Sequence, residues 1–139
     1  MISQAMRNEL ISAALTAMKN AYAPYSDFYV GAALLCENGK IYTGFNIENA
    51  AFTPTVCAER AAFTRALCDG ERSFCAIAVC GGKHGQTSDL ITTPCGVCRQ
   101  FMREFCTQDF EVITASSAEN YHVYTLREIL PDGFGPENF

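Results

Sequence analysis

Apolar and polar positions change period several times along this chain. Between residues 3 and 22, Ile11, Leu15, Met18 and Tyr22 recur at spacings of four, three and four, which predicts an amphipathic helix with those side chains on one face. Ala23-Pro24 ends it, because the residue before a proline is pushed out of the helical region. Residues 29–36 form a continuous apolar run, Asn38-Gly39 is a strong hairpin turn signal, and residues 40–46 read as the return strand. A β-hairpin is therefore expected over 29–46. Residues 56–67 predict a second helix. Residues 75–80 predict a buried strand that Gly81-Gly82 ends, followed by a polar loop over 83–90. After Thr93-Pro94, residues 96–106 predict a third helix. Strands over 111–115 and 121–125, a helical turn over 126–130 and an irregular tail over 131–139 complete the chain.

The order αββαβαββ, with helices between the later strands, predicts an α/β fold: a five-stranded sheet with helices on both faces. Crossovers through helices imply parallel pairing of the middle strands. At 139 residues the chain is sized for one domain, 1–139. Its net charge of -5 disfavours a phosphodiester backbone as main partner, so no nucleic acid is expected. The first ten residues lack the apolar core of a signal peptide, and no run approaches the roughly 18 apolar residues of a membrane span. No membrane partner and a cytoplasmic location are expected.

Eight cysteines are many for such a chain, and in a reducing compartment they read as thiols or metal ligands. Cys36, Cys75 and Cys80 lie in strand-like runs, and Cys68 and Cys106 late in helix-like ones. All five are expected as small buried apolar residues. The other three belong to two segments, Cys57-Ala58-Glu59-Arg60 and Pro94-Cys95-Gly96-Val97-Cys98-Arg99-Gln100, each at an expected helix start. Partial positive charge and free N–H groups at a helix start favour the thiolate, the form that binds metal. Cys95 and Cys98 can chelate one ion from the first helical turn, and Cys57 can supply a third sulfur. Three protein ligands with one open position is the arrangement of a catalytic rather than a structural zinc. Neither His84 nor His122 stands at a spacing that would add a fourth ligand. Glu59, two residues after Cys57, is placed to exchange protons with water in that open position. Arg60 can donate a hydrogen bond to a cysteine sulfur and offset its charge.

A Cys-x-Glu followed by Pro-Cys-x-x-Cys is the general signature of zinc deaminases. Together with Tyr25-Ser26-Asp27-Phe28, Val30-Gly31-Ala32-Ala33, Asn46-Ile47-Glu48-Asn49-Ala50, Leu130-Pro131 and Phe134-Gly135-Pro136, it makes nearly the whole chain resemble the small homotetrameric cytidine deaminases. That resemblance implies a three-layer αβα sandwich around a mixed five-stranded sheet. It also implies one Zn2+ per subunit on Cys57, Cys95 and Cys98, with Glu59 as proton shuttle. Asn46 and Glu48 are implied to hold the ribose 3′-hydroxyl, Phe28 to pack on the pyrimidine, and the Ala58 amide to contact the base. Ala50 and Phe52 are implied to reach a neighbouring subunit's site, and Phe134 to cover the base from another subunit. The implied reaction is hydrolytic deamination of cytidine and 2′-deoxycytidine in pyrimidine salvage. A deaminase of a modified cytosine nucleoside antibiotic is the alternative, against which Asn46 and Glu48 speak. An editor of single-stranded nucleic acid would need a basic groove, and a zinc-stabilised binding module would show no turnover.

Overall fold

A computed structural model describes residues 1–86 and 89–139. Its elements run α1 (Gln4–Met18), β1 (Phe28–Cys36), β2 (Ile41–Phe45), α2 (Ala58–Cys68), β3 (Phe74–Lys83), α3 (Gly96–Phe105), β4 (Glu111–Ser117), β5 (Asn120–Thr125) and α4 (Leu126–Ile129), closed by a 3-10 turn at Pro136–Asn138. The strands form one mixed sheet in the order β2-β1-β3-β4-β5. The β1–β2 hairpin pairs antiparallel around Gly39, whose φ of +91° is open to glycine.

The β1 run is apolar throughout because both its faces are covered. Leu34 and Cys36 face the core beneath α2 and α3, with Phe63, Val79, Met102 and Phe110. Ala33 and Leu35 face the core beneath α1, with Leu10, Ile11, Ala78 and Ile113. Helices therefore cover both faces, as expected. Two glycines let them approach closely. A Cβ on Gly31 would lie 2.1 Å from the Ala14 carbonyl oxygen of α1, and one on Gly44 would lie 2.4 Å from the Ala58 carbonyl oxygen of α2.

Several expectations need correction. Parallel pairing of the middle strands holds for β3 and β4 but not for β2 and β3, because among the described strands β1 lies between those two and is antiparallel to both. The crossover through α2 thus passes over a strand of the preceding hairpin, which element order alone does not specify. The first helix stops at Met18, not residue 22, and Tyr22 is exposed. Its backbone bonds sideways instead, the N–H donating to the Asn46 carbonyl at 3.0 Å and its carbonyl accepting from Glu48 N–H at 2.8 Å. The buried face of α1 is Leu10, Ile11, Ala14 and Ala17. Gly81-Gly82 does not end β3, which pairs with β1 as far as Lys83. Thr87 and Ser88, within the expected 83–90 loop, lie outside the described residues.

Of the five cysteines expected in the core, Cys36, Cys80 and Cys106 are buried. Desolvation pushes Cys36 up to about 11 and Cys80 to about 12, as befits inert thiols. Cys75 is only half-buried and Cys68, the last residue of α2, is exposed.

Candidate metal centre and active site

Cys57 is the N-cap of α2, Cys95 is the N-cap of α3, and Cys98 lies in the first turn of α3. Neither cap side chain bonds the helix backbone, so both sulfurs are free to turn towards each other. Gly44 lets α2 sit close on β2, and the Ile47–Val56 bridge, with N–H···O contacts of 2.9 and 3.0 Å, ties down the chain just before Cys57.

The three Sγ atoms all lie within 4.8 Å of one another, and those of Cys57 and Cys95 are 3.8 Å apart. Zinc–sulfur bonds of about 2.3 Å at tetrahedral angles place sulfurs about 3.8 Å apart, so the donor set fits zinc. These are the one cluster of three or more His, Cys, Asp or Glu among the described residues that could hold a metal. Among the described residues no fourth protein ligand stands with them. His84 stacks on Tyr29 at 4.8 Å, and His122 tilts against Tyr124.

The protein itself prepares these sulfurs for a cation. The Cys98 thiol hydrogen-bonds the Cys57 sulfur, and the Arg60 Nη2 donates to the same sulfur at 3.5 Å, so Cys57 falls to about 5. Cys98 is correspondingly raised in the metal-free chain, chiefly because it donates to Cys57, with burial adding to it. Arg60 is half-buried, and its Nε finds no partner among the described residues.

Glu59 is 4% exposed, and its Oε2 lies 3.7 Å from the Cys98 sulfur. Desolvation, reinforced by the Cys57 charge, raises its carboxyl to about 7. A carboxyl poised near neutrality beside a metal site can both take and give a proton at working pH.

A cavity of about 170 Å³ opens onto these groups, lined by Ala58, Glu59, Asn46 and Glu48 together with two of the sulfurs. Seven of the expected residues therefore converge: the three cysteines, with Cys98 behind the wall, and Ala58, Glu59, Asn46 and Glu48. Asn46 and Glu48 lie just past the end of β2. The Asn46 amide mimics a strand neighbour of β1: its Oδ1 accepts from Val30 N–H and its Nδ2 donates to the Phe28 carbonyl, both at 2.8 Å. Glu48 accepts from the Ser26 hydroxyl at 2.5 Å and from the Tyr25 and Ser26 N–H groups, which together hold its carboxyl below the usual range.

Phe28, Ala50, Phe52 and Phe134 do not line this cavity. Phe28 is half-buried at the head of β1, and Ala50 is exposed. Phe52 is 76% exposed, at φ +57°, in an adjoining cavity of about 450 Å³ that shares Glu48 and Thr55. Phe134 is exposed on the tail. Val30, Thr55, Thr92 and Thr93 also line the cavity and were given no site role from the sequence. Val30 stands in a quoted motif, and the three threonines lie within a few residues of one.

Residues 5–114 match the model of the cytidine and deoxycytidylate deaminase zinc-binding region. The chain belongs to this deaminase family. It is 45% identical to the cytidine deaminase of Sporosarcina psychrophila over 94% of this chain and 92% of that protein. The crystal structure of cytidine deaminase from Burkholderia pseudomallei superposes with a TM-score of 0.82 at 43% identity, covering 96% of this chain and all of that one. That of Mycobacterium tuberculosis gives 0.79 at 35%, covering 93% and 97%. The family and its three sulfurs make zinc the metal of this site.

Proposed function

We propose that this chain deaminates cytidine and 2′-deoxycytidine hydrolytically to the uridine forms and ammonia, as a cytoplasmic homotetramer in pyrimidine salvage. The observation that carries the reading is a buried carboxyl beside three convergent sulfurs with one side open to a cavity. Zinc, when held by Cys57, Cys95 and Cys98, supplies Lewis acidity that makes hydroxide available from water near neutral pH.

The chain's own residues do the remaining work. Glu59 takes a proton from water and delivers it to ring N3, which makes C4 electrophilic. The hydroxide left from that water bonds to C4; the same carboxylate then takes the proton of the new C4 hydroxyl and passes it to the amine as the C4–N4 bond breaks, leaving a C4 carbonyl and ammonia. Burial serves both transfers by holding the carboxyl near neutrality. Arg60 withdraws charge from the Cys57 sulfur, which offsets the electron donation of three thiolates. The Ala58 backbone orients the base. Asn46 and Glu48 fix the ribose, their own orientation being set by β1 and by Ser26. Phe28 packs on the pyrimidine, and Ala50, Phe52 and Phe134 act in neighbouring subunits' sites. The exposure of the last three in a single chain is in keeping with that role.

The test is loss of cytidine absorbance with matching ammonia release, before and after chelation. Glu59→Gln is expected to retain zinc yet lose at least ~100-fold in turnover, the usual cost of removing a general acid–base. A zinc-loaded variant turning over at the wild-type rate removes Glu59 from the reaction.

A further inference from the structure

Arg103 lies in the last turn of α3 and is 5% exposed, an unusual place for a guanidinium. A charge so buried needs a partner. Its partner is Glu137 on the C-terminal tail, with which it forms an ion pair. The tail also meets the flat face of the guanidinium. A Cβ built on Gly135 would lie 2.4 Å from Arg103 Cζ and 2.6 and 2.7 Å from Nη1 and Nη2. The extended backbone of Gly135, at φ -150°, suits any residue, so what a side chain there would do is push the guanidinium aside.

One turn earlier on the same helix face, Gln100 Nε2 donates to the Phe134 carbonyl at 2.9 Å. The Asn138 Oδ1 accepts from Gly135 N–H at 2.8 Å and closes the tail on itself. Phe134 is thus held from both sides by its backbone while its ring stays 58% exposed, edge-on to Phe139 at 5.6 Å. An apolar ring held out in solvent by a buried arginine, an ion pair and a close-fitting glycine is one whose direction matters more than its own burial. The helix that holds it also carries Cys95 and Cys98 at its other end.

We propose that Arg103, with Gly135 and Glu137, is a latch that positions Phe134 and so sets nucleoside affinity without touching the chemistry. Arg103 is a positioning residue acting through Phe134, and the proposal rests on the reading that Phe134 covers the base.

The experiment is steady-state kinetics on cytidine with zinc per chain measured in every variant. Glu137→Gln leaves the arginine a hydrogen-bond partner but removes the charge. It is expected to raise KM roughly three- to tenfold, as loss of a half-exposed ion pair allows, with kcat and zinc content within about twofold of wild type. Gly135→Ala, which displaces the guanidinium, should give the same split. Phe134→Ala should raise KM, and Glu137→Gln added to it should raise KM no further. If Phe134→Ala raises KM but Glu137→Gln does not, or if the two effects multiply, the latch is overturned while the reading of Phe134 survives. If Phe134→Ala leaves KM unchanged, that reading falls and the latch with it. Zinc loss in Glu137→Gln overturns the proposal by assigning Arg103 a structural role at the metal centre.

Discussion

Gly44→Ala is the most informative single change, because it presses on the metal centre from behind without altering a ligand. The added Cβ would lie 2.4 Å from the Ala58 carbonyl oxygen, 2.5 Å from the Ala62 nitrogen and 3.0 Å from the Ala61 Cβ. The first two are helix backbone, so no side chain can swing aside. Restoring an ordinary contact, from 2.4 Å to 3.4 Å, moves the first turn of α2 by about 1 Å. Cys57 caps that turn and Glu59 lies in it. Metal ligands tolerate displacements of about 0.2 Å, and a 1 Å error in placing a catalytic group costs roughly 100-fold. Overpacking of this kind also destabilises by about 1–3 kcal/mol.

The expected result is a protein that folds, binds zinc more weakly and loses roughly 100-fold in kcat/KM. Two other glycines separate site damage from general destabilisation. Gly82 has open space where a Cβ would stand, so Gly82→Ala should be neutral. Gly31→Ala presses on α1 across the sheet, with contacts of 2.1 and 2.5 Å to Ala14 O and Met18 N, so it should lower stability while leaving zinc affinity in place. Zinc content, thermal unfolding and kcat/KM measured on all three decide the matter. Wild-type zinc affinity and kcat/KM in a folded Gly44→Ala protein would refute the argument that the α2–β2 approach sets the metal geometry.

Two further outcomes follow from the site. In the metal-free protein the Glu59 carboxyl stands at about 7 against an ordinary 4.5, so the folded state binds its proton more tightly than the unfolded state does. Its favourable contribution is complete below about pH 4.5 and is lost as pH rises to about 7, a change of about 3 kcal/mol. Urea unfolding of chelator-treated protein should therefore show Glu59→Gln gaining on wild type by that amount across the window, and parallel stability curves would contradict it. Cys95, the exposed member of the three sulfurs, makes the centre accessible to chelators. Chelation should abolish turnover and added zinc restore it, whereas Cys95→Ser should stay inactive at zinc concentrations that reload wild type.

The metal site was legible because its constraints are local. Ligands three residues apart on one helical turn, and a carboxyl two residues after a third ligand, are set by backbone geometry that the sequence displays directly. The glutamate's burial is also local, since it follows from a helix start packed on Gly44. What escaped was set by distant groups. The insertion of β1 between β2 and β3 depends on which strand edge the hairpin finds, and residues 29–46 carry no trace of that choice. Tyr22 continued a helical spacing that its own backbone abandoned, because pairing with Asn46 and Glu48 satisfied its polar groups instead. Arg103 was not singled out at all, and Gly135 stood only as part of the Phe134-Gly135-Pro136 piece; the fold is what brings the two together. Spacing thus identifies groups that must meet within a turn or two. Cys57 meets Cys95 across a longer stretch and was still legible, because a shared ion demands both; Arg103 and Gly135 answer to no such common ligand, and their meeting becomes visible only in the fold, where a Cβ at 135 would press on the guanidinium.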